Sequence, residues 1–214
     1  MPAPMIDELL IADDSERWRE FGFAVADGRC QIGRVRVRFL TGGAKRGIVG
    51  WSLRDVAHTE LDGLATTISE QPAPDAAPAH PNGAVAIDHI VAMSPSLDRS
   101  VGALQRAGLD LRRIREQPTP AGAPRQAFFR LGGEILELIQ EPYELLERTG
   151  GRGGPARFWG VAVRVDDLDR TVELLGPHAG PIRPALQPDR RIATVHRSAG
   201  LSVALALMSA PAKE

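Results

Sequence analysis

The chain has 214 residues, of which 43% are hydrophobic and 25% are charged, and its formal net charge at pH 7 is -1. This balance excludes the general electrostatic attraction by which strongly basic proteins bind nucleic acid or anionic membranes. Its one cysteine, Cys30, excludes an intramolecular disulfide, and no stretch is apolar over the about 18 residues that a spanning helix needs. We therefore expect a soluble, cytoplasmic globular protein with no nucleic-acid or membrane partner.

Residues 1–69 predict a short and irregular module of strand, helix and strands. Residues 5–12 alternate in polarity, and Asp13 is placed to cap a brief helix after them. Residues 30–40 alternate apolar side chains with arginines, which predicts one half-buried strand, and residues 47–53 predict another.

Residues 70–84 are rich in proline and have little to bury. Such a segment is either a linker of polyproline II character or an ordered strap over a neighbouring element. His80 lies within it, and we expect a surface histidine there.

Two longer modules follow, each in the order strand, helix, strands. In residues 85–147 the helix is expected to start at Ser94-Pro95 and to end at Gly108. Its predicted strands cover residues 86–93, 109–115, 126–131 and 134–140. Residues 155–210 predict strands at 158–165, 191–197 and 201–208, a strand or extended loop at 180–186, and a helix opened by the acidic residues of 166–169.

The two longer modules can be aligned on their sequences. The run from Leu97 to Val101 (Leu-Asp-Arg-Ser-Val) matches the run that begins at Leu168 (Leu-Asp-Arg-Thr-Val), and the strand after Gly133 matches the strand after Gly200. A repeat of this length is a supersecondary unit that buries its sheet only with a neighbour.

These motifs resemble the vicinal oxygen chelate (VOC) superfamily, which includes glyoxalase I, the bleomycin-resistance proteins and extradiol dioxygenases. The motifs are a histidine in the first strand, the Leu-Asp-Arg-Ser/Thr helix start and a closing Gly-Glu-Ile-Leu-Glu-Leu-Ile strand. The resemblance implies an α+β fold of repeated βαβββ modules, paired into a curved mixed-sheet cup over residues 85–214. The degenerate N-terminal module would pack on that cup or mediate a homodimer.

The resemblance also implies where a metal would bind. Metal-dependent members carry His or Gln on the first strand and Glu on the last strand of each module, and these places fall on His89 and Glu137. In the third module they fall on Gly160 and Ala204, which cannot bind a metal. We expect no cofactor, although Zn, Ni, Mn or Fe could bind if His196, Glu134, the first module or a dimer partner completed the set.

Small side chains on the third module predict space for a ligand. If alternation holds, the residues that face the cup are Gly160, Ala162, Ser202, Ala204 and Ala206. An apolar cavity with a few polar groups suits a small organic ligand. Alternatively, Phe128, Phe129 or Trp159 fills that space.

Five further residues are candidates for ligand binding: Phe128, Arg130, Trp159, Arg191 and His196. Trp159 would act as a lid or a stacking platform. Arg191, together with Arg190, would hold a carboxylate or phosphate by bidentate contacts.

Three functions are consistent with these residues. In the first, His89 and Glu137 are the acid/base pair, or part of a reduced metal site, of a lyase, isomerase or hydrolase. In the second, the chain is a non-catalytic protein that sequesters a small apolar drug or metabolite, as bleomycin-resistance relatives do. In the third, the N-terminal module binds a partner protein and the cup is a relic.

Overall fold

The computed structural model describes residues 3–119, 122–148 and 151–211. This part of the chain has an α+β arrangement in which runs of strands are separated by a few short helices. The strands are β1 (Met5–Ala12), β2 (Arg29–Ile32), β3 (Val35–Phe39), β4 (Gly47–Arg54), β5 (Thr66–Ile68), β6 (Ala84–Ser94), β7 (Asp110–Arg115), β8 (Gln126–Leu131), β9 (Glu134–Gln140), β10 (Arg157–Val165), β11 (Arg183–Pro184), β12 (Arg191–Thr194) and β13 (Ala204–Met208). The helices are α1 (Ser15–Glu20), α2 (Leu97–Arg106), α3 (Tyr143–Arg148) and α4 (Leu168–Leu175). Across the described ranges, no helix is both long and apolar enough to cross a membrane.

The strands form two mixed sheets. The five-stranded sheet has the order β2-β3-β1-β4-β5, and the eight-stranded sheet has the order β11-β12-β13-β10-β6-β9-β8-β7. The predicted fold class, α+β with mixed sheets, is therefore confirmed.

The predicted repeat is visible in the topology of the eight-stranded sheet. In the central module the first strand, β6, lies parallel to the last, β9, and β8 and β7 follow outward. In the third module β10 lies parallel to β13, and β12 and β11 follow in the same way. The N-terminal module is a shorter version, with β1 parallel to β3 and β2 at the edge.

Contacts within the chain define two compact units. The first holds the described residues of Met1–Asp7, Gly50–Gln71 and His89–Trp159, and the second those of Glu8–Val49, Pro72–Asp88 and Gly160–Glu214. Each unit therefore draws on all three predicted modules. The division into modules at residues 1–69, 70–84 and 85–214 stays a prediction from the sequence.

In the first unit, alternation along β8 and β9 separates a closed face from a half-open one. The closed face packs against α2 and includes Phe129, Leu136 and Leu138, none of which is exposed. Burial of each such side chain contributes about 1.5–3 kcal/mol. The opposite face carries Ile135, Glu137 and Ile139, which are partly exposed.

Residues 30–40 were expected to form one strand, and the structure corrects this to a hairpin of β2 and β3. Ile32 pairs with Val35, so Gly33 and Arg34 form a two-residue turn. Gly33 has a φ of +62°, and a Cβ on it would lie 3.0 Å from the Cα of Ala86. Glycine adopts a positive φ without a steric penalty, and the turn that it begins interrupts the alternation of the strand.

Helix starts also differ from the prediction. Helix α2 begins at Leu97 rather than at Ser94-Pro95, because the Ser94 hydroxyl accepts from the Ser96 backbone N–H and bonds to the Ser100 hydroxyl. Helix α1 is capped by Asp14 and not by Asp13. Strand β5 and helix α3 were not predicted, since both are short, and β12 and β13 are shorter than expected.

Residues 72–84 of the proline-rich segment, called the strap below, belong to the second unit. Contrary to expectation, His80 is buried. Its Nδ1 accepts a hydrogen bond of 2.9 Å from the Ala24 backbone N–H, so Nε2 carries the proton and donates to the Gln31 carbonyl at 2.9 Å. Asn82 donates to the Phe21 carbonyl and accepts from the Ala84 N–H. The strap is therefore held by specific hydrogen bonds.

Acid is expected to loosen this strap. Burial lowers the pKa of His80 below its ordinary value of 6.5, and a second proton on Nδ1 would face the Ala24 N–H. The folded state therefore favours neutral His80, and the stability that this preference contributes is complete above pH 6.5 and is lost as pH falls through the folded pKa.

We expect His80→Gln, which can replace both hydrogen bonds without titrating, to reduce the loss of unfolding free energy below about pH 6.5. Urea unfolding across this pH range measures the effect. The matched control is His196→Gln at an exposed histidine of the same unit. Identical pH dependence in wild type and His80→Gln would contradict the assignment.

Candidate functional site

The parallel pairing of β6 and β9 brings His89 and Glu137 together. Val91 lies opposite Glu137 and His89 lies opposite Ile135, so the two polar residues are diagonal neighbours on one face. The distance from His89 Nε2 to Glu137 Oε2 is 3.6 Å, and their side chains are 13% and 15% exposed. This separation suits an ion pair but is too long for a direct hydrogen bond. Both groups remain accessible from solvent.

Strand β8 adds a third polar residue, Gln126. Its Nε2 donates a hydrogen bond to Glu137 Oε1, which leaves Oε2 toward His89. Gln126 is 1% exposed, and its buried Oε1 has no hydrogen-bond partner among the residues that the structure describes. A buried carbonyl oxygen without a partner is costly, so a ligand group or a water that donates to it would be favoured.

The surroundings make Glu137 a stronger base than an ordinary glutamate. Burial raises its pKa above the ordinary value of 4.5, and His89, the Gln126 hydrogen bond and the nearby Arg115 guanidinium lower it by smaller amounts. A general base works best when its pKa approaches the working pH. Glu137 has such a raised pKa and is still partly accessible to solvent.

The predicted ligand-binding residues fall in different units. Phe128 lies opposite Glu137, and Arg130 lies opposite Ile135, so both share the face of the pair. Trp159 belongs to the same unit and is 49% exposed. Phe129 points to the helix side and does not fill this face.

Arg191 and His196 belong to the second unit. Arg191 makes a bidentate ion pair with Asp169, with distances of 2.6 and 3.1 Å. His196 is exposed, and its Nδ1 is 3.2 Å from the Pro177 carbonyl oxygen. Arg190 donates to Asp88 at 2.6 Å. The role of Arg191 and His196 in binding stays a prediction.

The third module also pairs its first and last strands in parallel, but its register is shifted by two residues relative to the central module, and the matching positions carry no polar side chain. Gly160 lies directly opposite Ala204, at the two positions that match His89 and Glu137 in the sequence alignment. A Cβ on Gly160 would lie 2.6 Å from the Ala204 carbonyl oxygen. Any side chain at Gly160 would therefore force the two strands apart.

The described residues do not fit the metal site that the superfamily implies. A catalytic metal needs about three protein ligands, and no group of three or more His, Cys, Asp or Glu residues in the described ranges is placed to bind one. Arg115 acts on Glu137 as a positive charge, which also opposes a cation at this place. The chemistry of the pair is therefore derived without a metal.

Gln126 and Arg115 were missed in the sequence. Both lie in predicted strands, at alternate positions that could have placed them on the same face as Glu137, because alternate residues of neighbouring strands share a face. The register that places Gln126 beside Glu137 is set by pairing between strands.

Comparison with known proteins gives likeness in structure alone. No family model matches the sequence, and no curated protein matches it. The chain is similar to methylmalonyl-CoA epimerase from Mycobacterium tuberculosis, with 19% identity over 61% of this chain and 91% of that chain and a TM-score of 0.48. It is also similar to a variant of Streptomyces coelicolor methylmalonyl-CoA epimerase in complex with 2-nitronate-propionyl-CoA, with 18% identity over 61% of this chain and 98% of that chain and a TM-score of 0.48.

A third solved structure matches the whole chain. It is a xylose isomerase-like TIM barrel/4-hydroxyphenylpyruvate dioxygenase fusion protein, with 13% identity, 100% of this chain and 50% of that chain covered, and a TM-score of 0.64. At 13% identity this likeness shows the fold alone, an α+β arrangement with mixed sheets.

The hydrogen bond from Gln126 gives a prediction about Glu137. Because this bond favours the ionised carboxylate, we expect Gln126→Leu to raise the pKa of Glu137 further. A carbon-13 NMR titration of the labelled carboxyl group measures this pKa. Gln105→Leu, at an exposed glutamine of α2, is the control and should leave it unchanged. An unchanged or lower pKa in Gln126→Leu would show that the bond does not form in solution.

Proposed function

We propose that this chain is a VOC superfamily enzyme that moves a proton on a small organic substrate without the superfamily's metal, as an isomerase or a lyase. Glu137 is the general base and His89 its acid partner. The observation that carries the proposal is the half-buried pair at 3.6 Å, with Gln126 bonded to the second carboxylate oxygen.

Each residue has a step that its position supports. The ionised Glu137 accepts a proton from an acidic carbon of the substrate through Oε2, while Gln126 holds Oε1. His89 Nε2, on the same side, donates a proton to the opposite end of the substrate or to the leaving group. One proton is taken up and one is returned, so the overall reaction needs no oxidant or reductant.

The fold supports the superfamily assignment but leaves the reaction open, because one fold carries many chemistries. The rival function is sequestration of an apolar compound. The observation that favours it is the apolar character of the surrounding face, where Ile135, Ile139 and Met93 are partly exposed. Such a face binds a ligand whether or not the polar pair reacts.

Solvent deuterium incorporation separates these functions. Small carbonyl compounds that raise the melting temperature in a dose-dependent way would be incubated with the protein in heavy water, and the α-proton signal followed by proton NMR. We expect wild type to exchange at least one bound compound. Glu137→Gln and His89→Ala should slow the exchange by about 10²-fold or more.

The exchange rate should also fall with acid, because only ionised Glu137 accepts a proton. The raised pKa places this fall at a higher pH than for an ordinary glutamate. Glu144→Gln, at an exposed glutamate of α3, is the control and should exchange like wild type. A compound that binds without deuterium exchange would favour sequestration. If no compound in a broad panel binds, the cup is better explained as a relic.

Metal content is a separate prediction. We expect the untagged protein to contain no stoichiometric Zn, Ni, Mn or Fe, and a chelator to leave its melting temperature and its exchange rate unchanged. Elemental analysis of wild type and His89→Ala tests this. A near-stoichiometric metal that is lost in His89→Ala would show that ligands from elsewhere complete the site.

A further inference from the structure

A β-bulge in the edge strand β7 sets which of its arginines pair with the residues of β8 on the face of the candidate site. Leu111 pairs with Phe129, and the register then shifts so that Arg113, not Arg112, pairs with Phe128. Without this shift Arg113 would pair with Ala127 and point to the helix side. Bulges re-aim side chains in this way, often next to functional sites.

The shift places two arginines on the face of the His89–Glu137 pair. Arg113 lies beside Phe128, which lies beside Glu137 on the next strand. Arg115 lies beside Gln126, whose amide is bonded to Glu137. Two strand spacings separate the Cα atoms of Arg113 and Glu137, or about 10 Å, which is the length of a small organic molecule.

Within the ranges that the structure describes, neither arginine forms an ion pair at contact distance, although the Arg115 charge acts on Glu137. Other arginines of the same module do form such pairs. Arg112 pairs with Asp110 at 3.1 Å, and Arg125 pairs with both Asp98 and Glu116. Arg113 instead stacks on an aromatic ring, with its guanidinium carbon 5.3 Å from the centroid of Phe128. Stacking uses the flat face of a guanidinium and leaves its in-plane N–H groups free to bind an anion.

We propose that Arg113 and Arg115 form an anion subsite, so that the ligand of this chain carries a carboxylate or phosphate about 10 Å from the group that reaches Glu137. Phe128 lies between the two ends of such a ligand and contacts its apolar part. This inference rests on the proposed function for the reacting end of the ligand, but the subsite itself is defined by β7 and β8 alone.

A different role for the arginines is protection of a sheet edge, since charged side chains on an edge strand discourage pairing with other chains. Arg112 would serve that role as well as its neighbours do. An anion subsite requires Arg113 and Arg115 to bind anions better than Arg112 does, whereas protection of the edge does not.

The experiment measures binding of two probes, inorganic phosphate and phenyl phosphate, by isothermal titration calorimetry at constant ionic strength. The test variants are Arg113→Gln, Arg115→Gln and the double variant, and the matched control is Arg112→Gln on the same strand. We expect wild type to bind phenyl phosphate more tightly than phosphate, because Phe128 adds a contact. Each single substitution should weaken both probes by about tenfold or more.

Wild type that binds neither probe, or a double variant that binds like wild type, would overturn the subsite. Equal losses in Arg112→Gln would overturn it too, because they would show only general surface charge. Far-ultraviolet circular dichroism confirms that the variants fold.

Glu137→Gln separates this inference from the proposed function. It should keep or tighten phosphate binding, because it removes a negative charge from the same face, while it stops deuterium exchange. If the arginine variants lose probe binding but wild type exchanges none of the tested compounds, the subsite is supported and the proposed enzyme function is contradicted.

Discussion

The parallel pairing of β6 with β9 is the constraint on which the candidate site depends. Backbone hydrogen bonds between these strands fix Val91 opposite Glu137 and therefore His89 as its diagonal neighbour. The antiparallel strand β8 then brings in Gln126 from the other side. Because side chains alternate along a strand, a slip of one residue would turn Glu137 into the apolar core under α2. The packing of that core and the geometry of the site are thus maintained by the same register.

The two faces of the sheet formed by β8 and β9 differ: one packs in the apolar core, and the other carries the candidate site. The helix side is closed by fully buried apolar residues such as Phe129 and Leu138. On the other side His89 and Glu137 stay 13% and 15% exposed, and burial raises the pKa of Glu137. A fully solvated carboxylate would be a weaker base, and a fully buried one could not reach a substrate.

The third module shows what the fold retains without the polar pair of the central module. It has the same strand order, but Gly160 and Ala204 occupy the matching positions, and the strands approach so closely there that a Cβ on Gly160 would meet the Ala204 carbonyl oxygen at 2.6 Å. The repeat in the sequence therefore reports the shared architecture of a sheet and not a shared site.

Local patterns in the sequence determined the alternating strands, the helix faces, the repeat and the placement of His89 and Glu137 on one face. These features depend on neighbours a few residues apart, and period-2 and helical spacing report them directly. Only the tertiary structure decided the burial of His80, the contact of Gln126 with Glu137 and the bulge that turns Arg113 toward the site. Each of these is set by the register or close approach of segments distant in the chain, and no local pattern encodes such pairing.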